Sequence, residues 1–429
     1  MRMPLATALL ALCTLSTAAL AHFETGQVYV SDIQNSKVYR VNVDNGVVNT
    51  TLTAADGLNG ASAIGFSLHG HMLVSNFYDN SVIEFDAGLN SEVVLTNANG
   101  GIAAPFGGNG IIIGPGHGDV FVANLGGSPK VLHFDEDYNF IGTVLDASDG
   151  LVNPTAMAFL PDGGLLVANR SGNNELFHIT EDGVVSIYTS LTDINPASMV
   201  VRDNGDVYIV STRGDLYRMV GADPNNMVLL GNFGGPLANH TLGFTPDYTE
   251  LYHTNSADGI FRTIDPDTGA STIITTIVGS PSAMIVVGSH FPHGTFAEFG
   301  ESLAGAGEIE PTLHGHGEPR IGDPATVEMH SFVGGTQVFL FLSAIAGESS
   351  LFGGEFHIQL GPSAILLELT ATGAAGVAGD GDVDLPFVIP NDPAIVGIKF
   401  FMQALGVDAA APQGVSMTNC LTMFVGDSE

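Results

Sequence analysis

The stretch LLVANRSGNNELFHI, residues 165–179, decides the fold, because a close variant, MLVSNFYDNSVIEF, occupies residues 72–85. The shared core is a hydrophobic pair, a small residue and then Asp, Asn or Thr. It occurs six times: YVSD (29–32), LVSN (73–76), FVAN (121–124), LVAN (166–169), IVST (209–212) and YHTN (252–255). The small residues fall at positions 31, 75, 123, 168, 211 and 254, so the period is 43 to 48 residues. Such a period is typical of propellers and solenoids.

Each copy alternates apolar and polar residues with a period of two, and turn signals divide it into about four short antiparallel strands. In the fourth copy, AMAF (156–159) predicts an inner strand, PDGG (161–164) a hairpin turn, and LLVAN the second strand. ELFHI and VVSIY (184–188) complete the unit.

The two ends of the repeat region distinguish a ring from an open solenoid. The first copy begins at its second strand, QVYV (27–30), and lacks an inner strand. After the sixth copy comes PSAMIVV (281–287), which matches the inner strands PTAMAFL (154–160) and PASMVVR (196–202). A strand supplied from the far end closes a ring of blades without a free edge. The sequence therefore predicts an all-β fold, with a six-bladed β-propeller over residues 22–289 closed by a C-terminal inner strand.

These units resemble the propellers of the NHL, SMP-30/gluconolactonase and streptogramin-lyase group. There an N-P-x-x-apolar inner strand precedes a V-[SA]-[ND] second strand, as NPTAM (153–157) and VAN (167–169) do here. WD40 repeats are disfavoured because the chain has no tryptophan. The resemblance implies the fold, whereas activity depends on the site.

The N-terminus, residues 1–21, has the pattern of a secretory signal peptide. Arg2 precedes an apolar run over residues 5–20, and the small residues of ALA (19–21) suit a signal peptidase. The run is too short to span a bilayer, so we expect a mature start at His22 and a secreted, extracellular or cell-surface protein. Cys13 lies in the signal and leaves Cys420 alone, which excludes an internal disulfide and leaves pairing between chains open.

A second domain follows a linker at residues 290–295. Residues 296–429 are rich in glycine and contain seven or eight alternating segments, which predicts a β-sandwich of immunoglobulin-like type. The region resembles the Gly- and Pro-rich C-terminal domains of secreted bacterial proteins. In those domains a cysteine commonly follows an initial FG or YG motif. In this chain Glu301 and Ser302 follow the FG motif instead. The resemblance implies a role in attachment or assembly, including formation of a homo-oligomer.

The net charge is −34, from 11 basic and 45 acidic residues. Nucleic acid and anionic membranes are excluded as partners because their phosphates would be repelled. We expect an extracellular ligand, a glycan or a protein instead.

Positions just before the inner strands converge on the mouth of a propeller. They are Asn59, Asn109, Asn153, Asn195 and Asn239, with Ser280 in the sixth blade position. The second strands end in Asp32, Asn76, Asn124, Asn169 and Asn255. Oxygen atoms of these side chains are candidate ligands for Ca²⁺, while Asn and Asp also cap turns. The resemblance to lactonases implies a metal-binding glutamate in an E-G-P motif, in whose place Gly279, Ser280 and Pro281 stand here.

Two further mouth residues have side chains suited to catalysis. His240 can transfer a proton and Arg170 can bind an anion, which makes them the catalytic candidates. The resemblance to streptogramin lyases implies a histidine beside a metal-bound carboxylate, for which this chain shows no counterpart.

Four other motifs contain potential metal ligands. His69 and His71, His314 and His316 near Glu318, and His290 and His293 are pairs that could bind Zn²⁺ or Cu²⁺. Asp380, Asp382 and Asp384 in GDGDVD are candidate Ca²⁺ ligands or a polar turn. The EF-hand pattern fails, because Leu385 and Asn391 stand where it needs glycine and glutamate.

Two functions fit these observations. The first is a non-catalytic extracellular binding or scaffold protein, with the propeller as platform and the sandwich for attachment. The alternative is a metal-dependent lactonase or lyase that acts at the mouth through Asn153, Asn195, His240 and Arg170.

Overall fold

A computed structural model describes residues 26–426 except 68–70, 87–88, 104–109, 115–118, 126–128, 171–173, 181, 192, 203, 236–237, 247, 288–293, 345, 361–363, 392–394, 396–397 and 412. The signal peptide, Asn109, His69, His290 and His293 lie outside these residues and stay predictions. The chain divides into two compact units, one of residues 22–290 and one that contains residues 291–429.

The first unit is a β-propeller whose described residues form six four-stranded antiparallel sheets, the blades. Blade 1 contains β1 (Val28–Asp32), β2 (Lys37–Val41), β3 (Val48–Leu52) and, from the far end, β24 (Pro281–Val286). Blade 2 contains β4 (Ala61–Phe66), β5 (Met72–Asn76), β6 (Ser81–Phe85) and β7 (Ser91–Thr96). Blade 3 contains β8 (Ile111–Ile113), β9 (Val120–Asn124), β10 (Lys130–Phe134) and β11 (Phe140–Asp146).

The other three blades follow the same order. Blade 4 contains β12 (Pro154–Phe159), β13 (Leu165–Asn169), β14 (Glu175–Ile179) and β15 (Val185–Ser190). Blade 5 contains β16 (Pro196–Val201), β17 (Val207–Ser211), β18 (Asp215–Met219) and β19 (Met227–Asn232). Blade 6 contains β20 (His240–Phe244), β21 (Leu251–Asn255), β22 (Ile260–Ile264) and β23 (Ser271–Thr276).

The first and last strands of the propeller pair with each other, as PSAMIVV predicts. β24 runs antiparallel to β1, with Tyr29 opposite Ile285 and Val30 opposite Met284. The inner strands contact one another in the cycle β4, β8, β12, β16, β20, β24 and back to β4. Hydroxyl groups link neighbouring inner strands: Thr155 Oγ1 donates to Pro196 O at 3.0 Å, and Ser282 Oγ donates to Ala61 O at 3.0 Å.

Burial falls from the inner to the outer strand of each blade. All five residues of β13 are buried, whereas no residue of the fourth strand, β15, is buried and three of its six are exposed. Inner and second strands lie between neighbouring blades and are covered on both faces, which is why they are apolar almost throughout. The core is therefore a series of apolar layers between blades.

The motif alignment was wrong by one residue in blade 5. Pro196 pairs with Ser211, just as Pro154 pairs with Asn169 in blade 4. Ser211, rather than Thr212, thus occupies the position of the other Asp and Asn residues. The sequence alignment placed Ser211 at the small-residue position of the motif. In the structure Val210 occupies that position, which is held by a small residue in the other copies, so the motif did not reveal the offset.

The second unit has more strands than the seven or eight predicted. They are β25 (Thr295–Phe299), β26 (Thr312–His316), β27 (Pro324–Phe332), β28 (Gln337–Ser343), β29 (Ala346–Leu351), β30 (Gly354–Ile358), β31 (Ile365–Thr370), β32 (Gly381–Val388), β33 (Lys399–Val407), β34 (Val415–Met417) and β35 (Cys420–Phe424). One sheet has the order β25-β35-β33-β28-β31, with β34 beside β33, and a second has the order β26-β27-β32.

Side chains from both sheets form one hydrophobic core. Val327 and Met329 from the smaller sheet and Leu340, Phe400 and Met402 from the larger one are members of it. The two sheets thus share one core, and the β-sandwich of immunoglobulin-like type stays a prediction. No helix in the described part of the chain is long and apolar enough to cross a bilayer.

Candidate functional site

Three asparagines at the ends of second strands hold the loops that precede the inner strands. Asn169 shows the arrangement: its Oδ1 accepts from the backbone N–H of Asn153 at 2.9 Å, and its Nδ2 donates to Gly150 O at 3.2 Å. The same pair of bonds joins Asn76 to Asn59 and Gly57, and Asn124 to Ala103 and Gly101. The three glycines have φ of 95°, 71° and 99°, a conformation that glycine adopts readily. Both polar atoms of each side-chain amide are therefore hydrogen-bonded to backbone groups.

Asp32 and Asn255 instead bind the turns that follow them. Asp32 Oδ1 accepts from the N–H groups of Gln34 and Asn35, and its Oδ2 accepts from Tyr39 Oη at 3.2 Å. Burial, together with the Asp32 charge, raises the pKa of Tyr39 to about 12. Asn255 Oδ1 accepts from the N–H groups of the next turn, while its buried Nδ2 has no partner among the described residues.

The residues that precede the inner strands lie together on one face, here called the mouth face. The carbonyl groups of Asn59, Asn153, Asn195 and Asn239 each accept a backbone N–H from just beyond a second strand, at 2.8 to 3.2 Å. Asn59 Nδ2 donates to Asp79 at 2.6 Å. Asn153 Oδ1 is buried and accepts no bond from a described residue.

Gly279 stands where the resemblance to lactonases implies a metal-binding glutamate. A Cβ atom there would lie 2.0 Å from Asp32 Oδ2, which is closer than any non-bonded contact allows. Because Asp32 already fills this space, a glutamate would need a different arrangement of the turn. Across the described residues, no three His, Cys, Asp or Glu side chains are placed to hold one metal ion.

Arg170 follows β13 on the mouth face. Its backbone N–H donates to Asn153 O at 2.8 Å, which places it next to Asn153. The side chain is half-buried, burial lowers its pKa, and its guanidinium has neither a hydrogen bond nor an ion pair within the described ranges. Arg202 and Arg218, in contrast, both pair with Asp267. Arg170 is thus a partly desolvated cation whose charge is not compensated by a carboxylate of any described residue.

His240 lies on β20 but is fully buried. Its Nδ1 is 2.9 Å from His253 Nε2, and its Nε2 is 3.3 Å from Gly235 O. Burial lowers the pKa of both histidines, that of His253 strongly. In this arrangement both imidazole nitrogens of His240 are engaged within the protein, so it does not offer a free base to a ligand at the mouth face.

Sequence analysis missed His253 as a site residue. It lies opposite Leu242, at the position that Val167 holds opposite Met157 in blade 4. The available signal was a histidine at a second-strand position that is Val or Ile in the other five blades.

The remaining metal candidates have separate contacts. His71 Nδ1 is 3.3 Å from Glu84, and Glu318 pairs with Arg320. Asp380 accepts from the backbone N–H of Ala374, whereas Asp382 lies 3.1 Å from His330 Nδ1 and Asp384 is opposite Glu328. Asp382 and Asp384 are therefore strand residues rather than parts of one loop with Asp380.

Comparison with known proteins finds similarity only among solved structures. No protein family and no curated protein matches the chain. The nidogen/laminin complex aligns with 60% of this chain and 97% of that one, at 12% identity and a TM-score of 0.49. Virginiamycin B lyase from Staphylococcus aureus aligns with 59% and 82%, at 14% identity and a TM-score of 0.43. A gluconolactonase from Xanthomonas campestris aligns with 53% and 79%, at 17% identity and a TM-score of 0.44.

At such identities the similarity concerns the fold alone. The chain contains a β-propeller, and propellers of the streptogramin-lyase and gluconolactonase type are among the solved structures similar to it.

Proposed function

We propose that this is a secreted extracellular binding protein whose propeller recognises an anionic group at the mouth face through Arg170. The C-terminal unit then serves attachment or assembly. The observation that carries the proposal is the half-buried guanidinium of Arg170, which has no acidic partner among the described residues.

The charge of the whole chain restricts the ligand. A net charge of −34 repels polyanions, whereas one guanidinium can bind a single carboxylate through two parallel hydrogen bonds. Partial burial strengthens such a bond because water screens it less. The expected ligand is therefore a small acid or a terminal carboxylate, such as a uronic-acid residue of a glycan.

Calorimetric titration of the full mature chain with glucuronate, and with glucose as its uncharged match, tests this proposal. We expect glucuronate to bind and glucose not to bind. Arg170→Gln should weaken binding about tenfold or more, because a charge-assisted hydrogen bond contributes roughly 1.5–3 kcal/mol.

Arg213→Gln is the matched control. Arg213 is an exposed arginine just after the second strand of the next blade, so the substitution changes net charge equally without removing the half-buried group. Equal binding of the two sugars, or equal effects of the two substitutions, would contradict the proposal.

A second candidate function is a metal-dependent lactonase or lyase at the same face. It is supported by the placement of Arg170 beside Asn153 and one blade away from Asn195, where a guanidinium could stabilise a developing carboxylate. Gluconolactone hydrolysis, followed by acid release, distinguishes the two functions. Turnover that chelation abolishes and Arg170→Gln reduces would establish the enzyme, whereas binding of glucuronate without turnover would leave the binding protein.

A further inference from the structure

Besides His316, the outward face of the three-stranded sheet in the second unit carries two histidines and three carboxylates. They are His314 on β26, Glu328 and His330 on β27, and Asp382 and Asp384 on β32. Intervening residues such as Val327 and Met329 are buried in the core, so this alternation turns the polar set to the other face. His314 lies opposite Glu328, and Glu328 lies opposite Asp384.

Each of the two imidazoles is oriented by a carboxylate. His314 Nδ1 is 2.7 Å from Glu298 Oε1, and His330 Nδ1 is 3.1 Å from Asp382 Oδ1. Because an ionised carboxylate only accepts hydrogen bonds, the proton of a neutral ring resides on Nδ1. Nε2 then presents a lone pair. A carboxylate on one nitrogen and a metal on the other is the usual environment of a metal-binding histidine.

The separation of the rings suits a single ion. Their centroids are 6.0 Å apart, with an interplanar angle of 38°. With a metal–nitrogen distance of about 2.0–2.1 Å, two imidazoles on one ion have centroids roughly 5 Å apart at a tetrahedral angle and about 6.4 Å apart when collinear. The observed distance falls within this range.

We propose that His314 and His330 bind one divalent cation of the Zn²⁺ or Cu²⁺ class through their Nε2 atoms, with water in the remaining positions. Glu328 provides a carboxylate beside this site, because its Oε2 is 3.7 Å from His330 Nε2. Imidazole nitrogen selects these cations over Ca²⁺ and Mg²⁺, which prefer oxygen. With two protein ligands the site is reversible and need not contribute to folding.

The pairing of His314 with His330 differs from the pairing of His314 with His316 that the sequence spacing suggests. LHGHGE and GDGDVD are about 65 residues apart in the chain, and each alone is a weak motif. The sheet brings His314 to His330 rather than to His316, and turns Asp382 from a candidate calcium ligand into the group that orients His330. His316 lies opposite Thr326, farther along β26 and away from His330.

Zinc binding by the full mature chain, measured by equilibrium dialysis with metal analysis, tests the proposal. The double substitution His314→Ala/His330→Ala should remove one Zn²⁺ per chain. His316→Ala, on the same strand and face, should keep that ion. Glu298→Gln should weaken binding about 10–100-fold, the usual effect of losing a group that orients a metal ligand.

Other outcomes would overturn the site. They are a wild-type chain that binds no zinc, unchanged stoichiometry in the double variant, or equal loss in His316→Ala. Thermal unfolding without metal should be the same for all variants, which separates loss of the site from loss of the fold. A parallel titration with Ca²⁺ provides the contrast, because calcium binding that survives the double substitution would belong to the aspartates alone.

Discussion

Blades 4 and 6 share strand order and register, yet their interiors differ in chemistry. In blade 4, Met157 faces Val167 across the inner and second strands. In blade 6, Leu242 faces His253, and the buried His240 takes the place of Pro154. The ring thus accepts a polar interior where its repeat pattern specifies an apolar one.

In the polar interior of blade 6, several buried groups have no hydrogen-bond partner among the described residues. Among the described residues, the unpartnered buried atoms of blade 6 are Thr241 Oγ1, His253 Nδ1, Thr254 Oγ1, Asn255 Nδ2 and Arg262 Nε. Each such group destabilises the folded state by about 1–3 kcal/mol unless water reaches it. We therefore expect blade 6 to be the less stable of the two.

The largest predicted effect is in the apolar blade. Phe177→Ala should lower the free energy of unfolding by about 3–5 kcal/mol, because Phe177 is 1% exposed and its removal leaves a cavity. Chemical denaturation measures the change. Ile187→Ala, in the same blade but 57% exposed, is the control and should change stability by less than about 0.5 kcal/mol. Similar effects of the two substitutions would show that blade 4 is not packed as described.

The next prediction compares equivalent asparagines in the two blades. Asn169→Ala should destabilise the chain by roughly 2–3 kcal/mol, because it leaves two backbone N–H groups and a carbonyl without partners. Asn255→Ala removes bonds only within its own turn. We expect it to cost only about 1 kcal/mol. The substitution also removes the buried Nδ2, which has no partner among the described residues, and this gain offsets part of the loss. Chemical denaturation at pH 7.5 measures both losses. A larger loss of stability in Asn255→Ala than in Asn169→Ala would contradict the comparison.

The third prediction is a pH dependence specific to blade 6. Burial lowers the pKa of His240 and His253 in the folded state, so on acidification the unfolded chain binds these protons first. Stability is therefore lost as the pH falls below about 6.5, by up to about 1.4 kcal/mol per pH unit for each histidine. Asp258 and Asp215 oppose the shift at His240, while Arg262 adds to it at both rings.

His253→Val, which copies Val167 of blade 4, tests this dependence. The free energy of unfolding of this variant should fall less between pH 7 and pH 5 than that of the wild type. Val167→Ala provides a control with an unchanged pH slope. If His253→Val and the wild type lost stability in parallel, the histidine pair would not be the titrating element.

The repeat pattern was sufficient to predict the blades, because burial on both faces requires apolar inner and second strands. Pairing of PSAMIVV with the first strand followed from the missing inner strand of the first copy. The offset at Ser211 was missed since Val210 breaks the small-residue signal. His253 was missed because spacing along the chain does not show which residues face each other across strands.

The candidate site was less predictable than the fold. The sequence predicted that Arg170 and Asn153 lie on one face, but only the structure shows that Arg170 has no acidic partner among the described residues. Likewise, the position of Asp32 beside Gly279 depends on the contact between the two ends of the propeller. His314 and His330 lie on neighbouring strands, and their proximity depends on a register that no local motif encodes.

The most direct test of the ring is a disulfide across its closing strands. Ser31 and Ala283 are directly opposite, buried and small, and opposite residues on antiparallel strands have Cα atoms about 4.5–5.5 Å apart, within disulfide range. The Ser31→Cys/Ala283→Cys variant should form an internal disulfide that joins the two peptides in a non-reduced digest, whereas Ser31→Cys/Ala156→Cys should not. A folded Ser31→Cys/Ala283→Cys variant that keeps both thiols free under oxidising conditions would contradict closure of the propeller by its two ends.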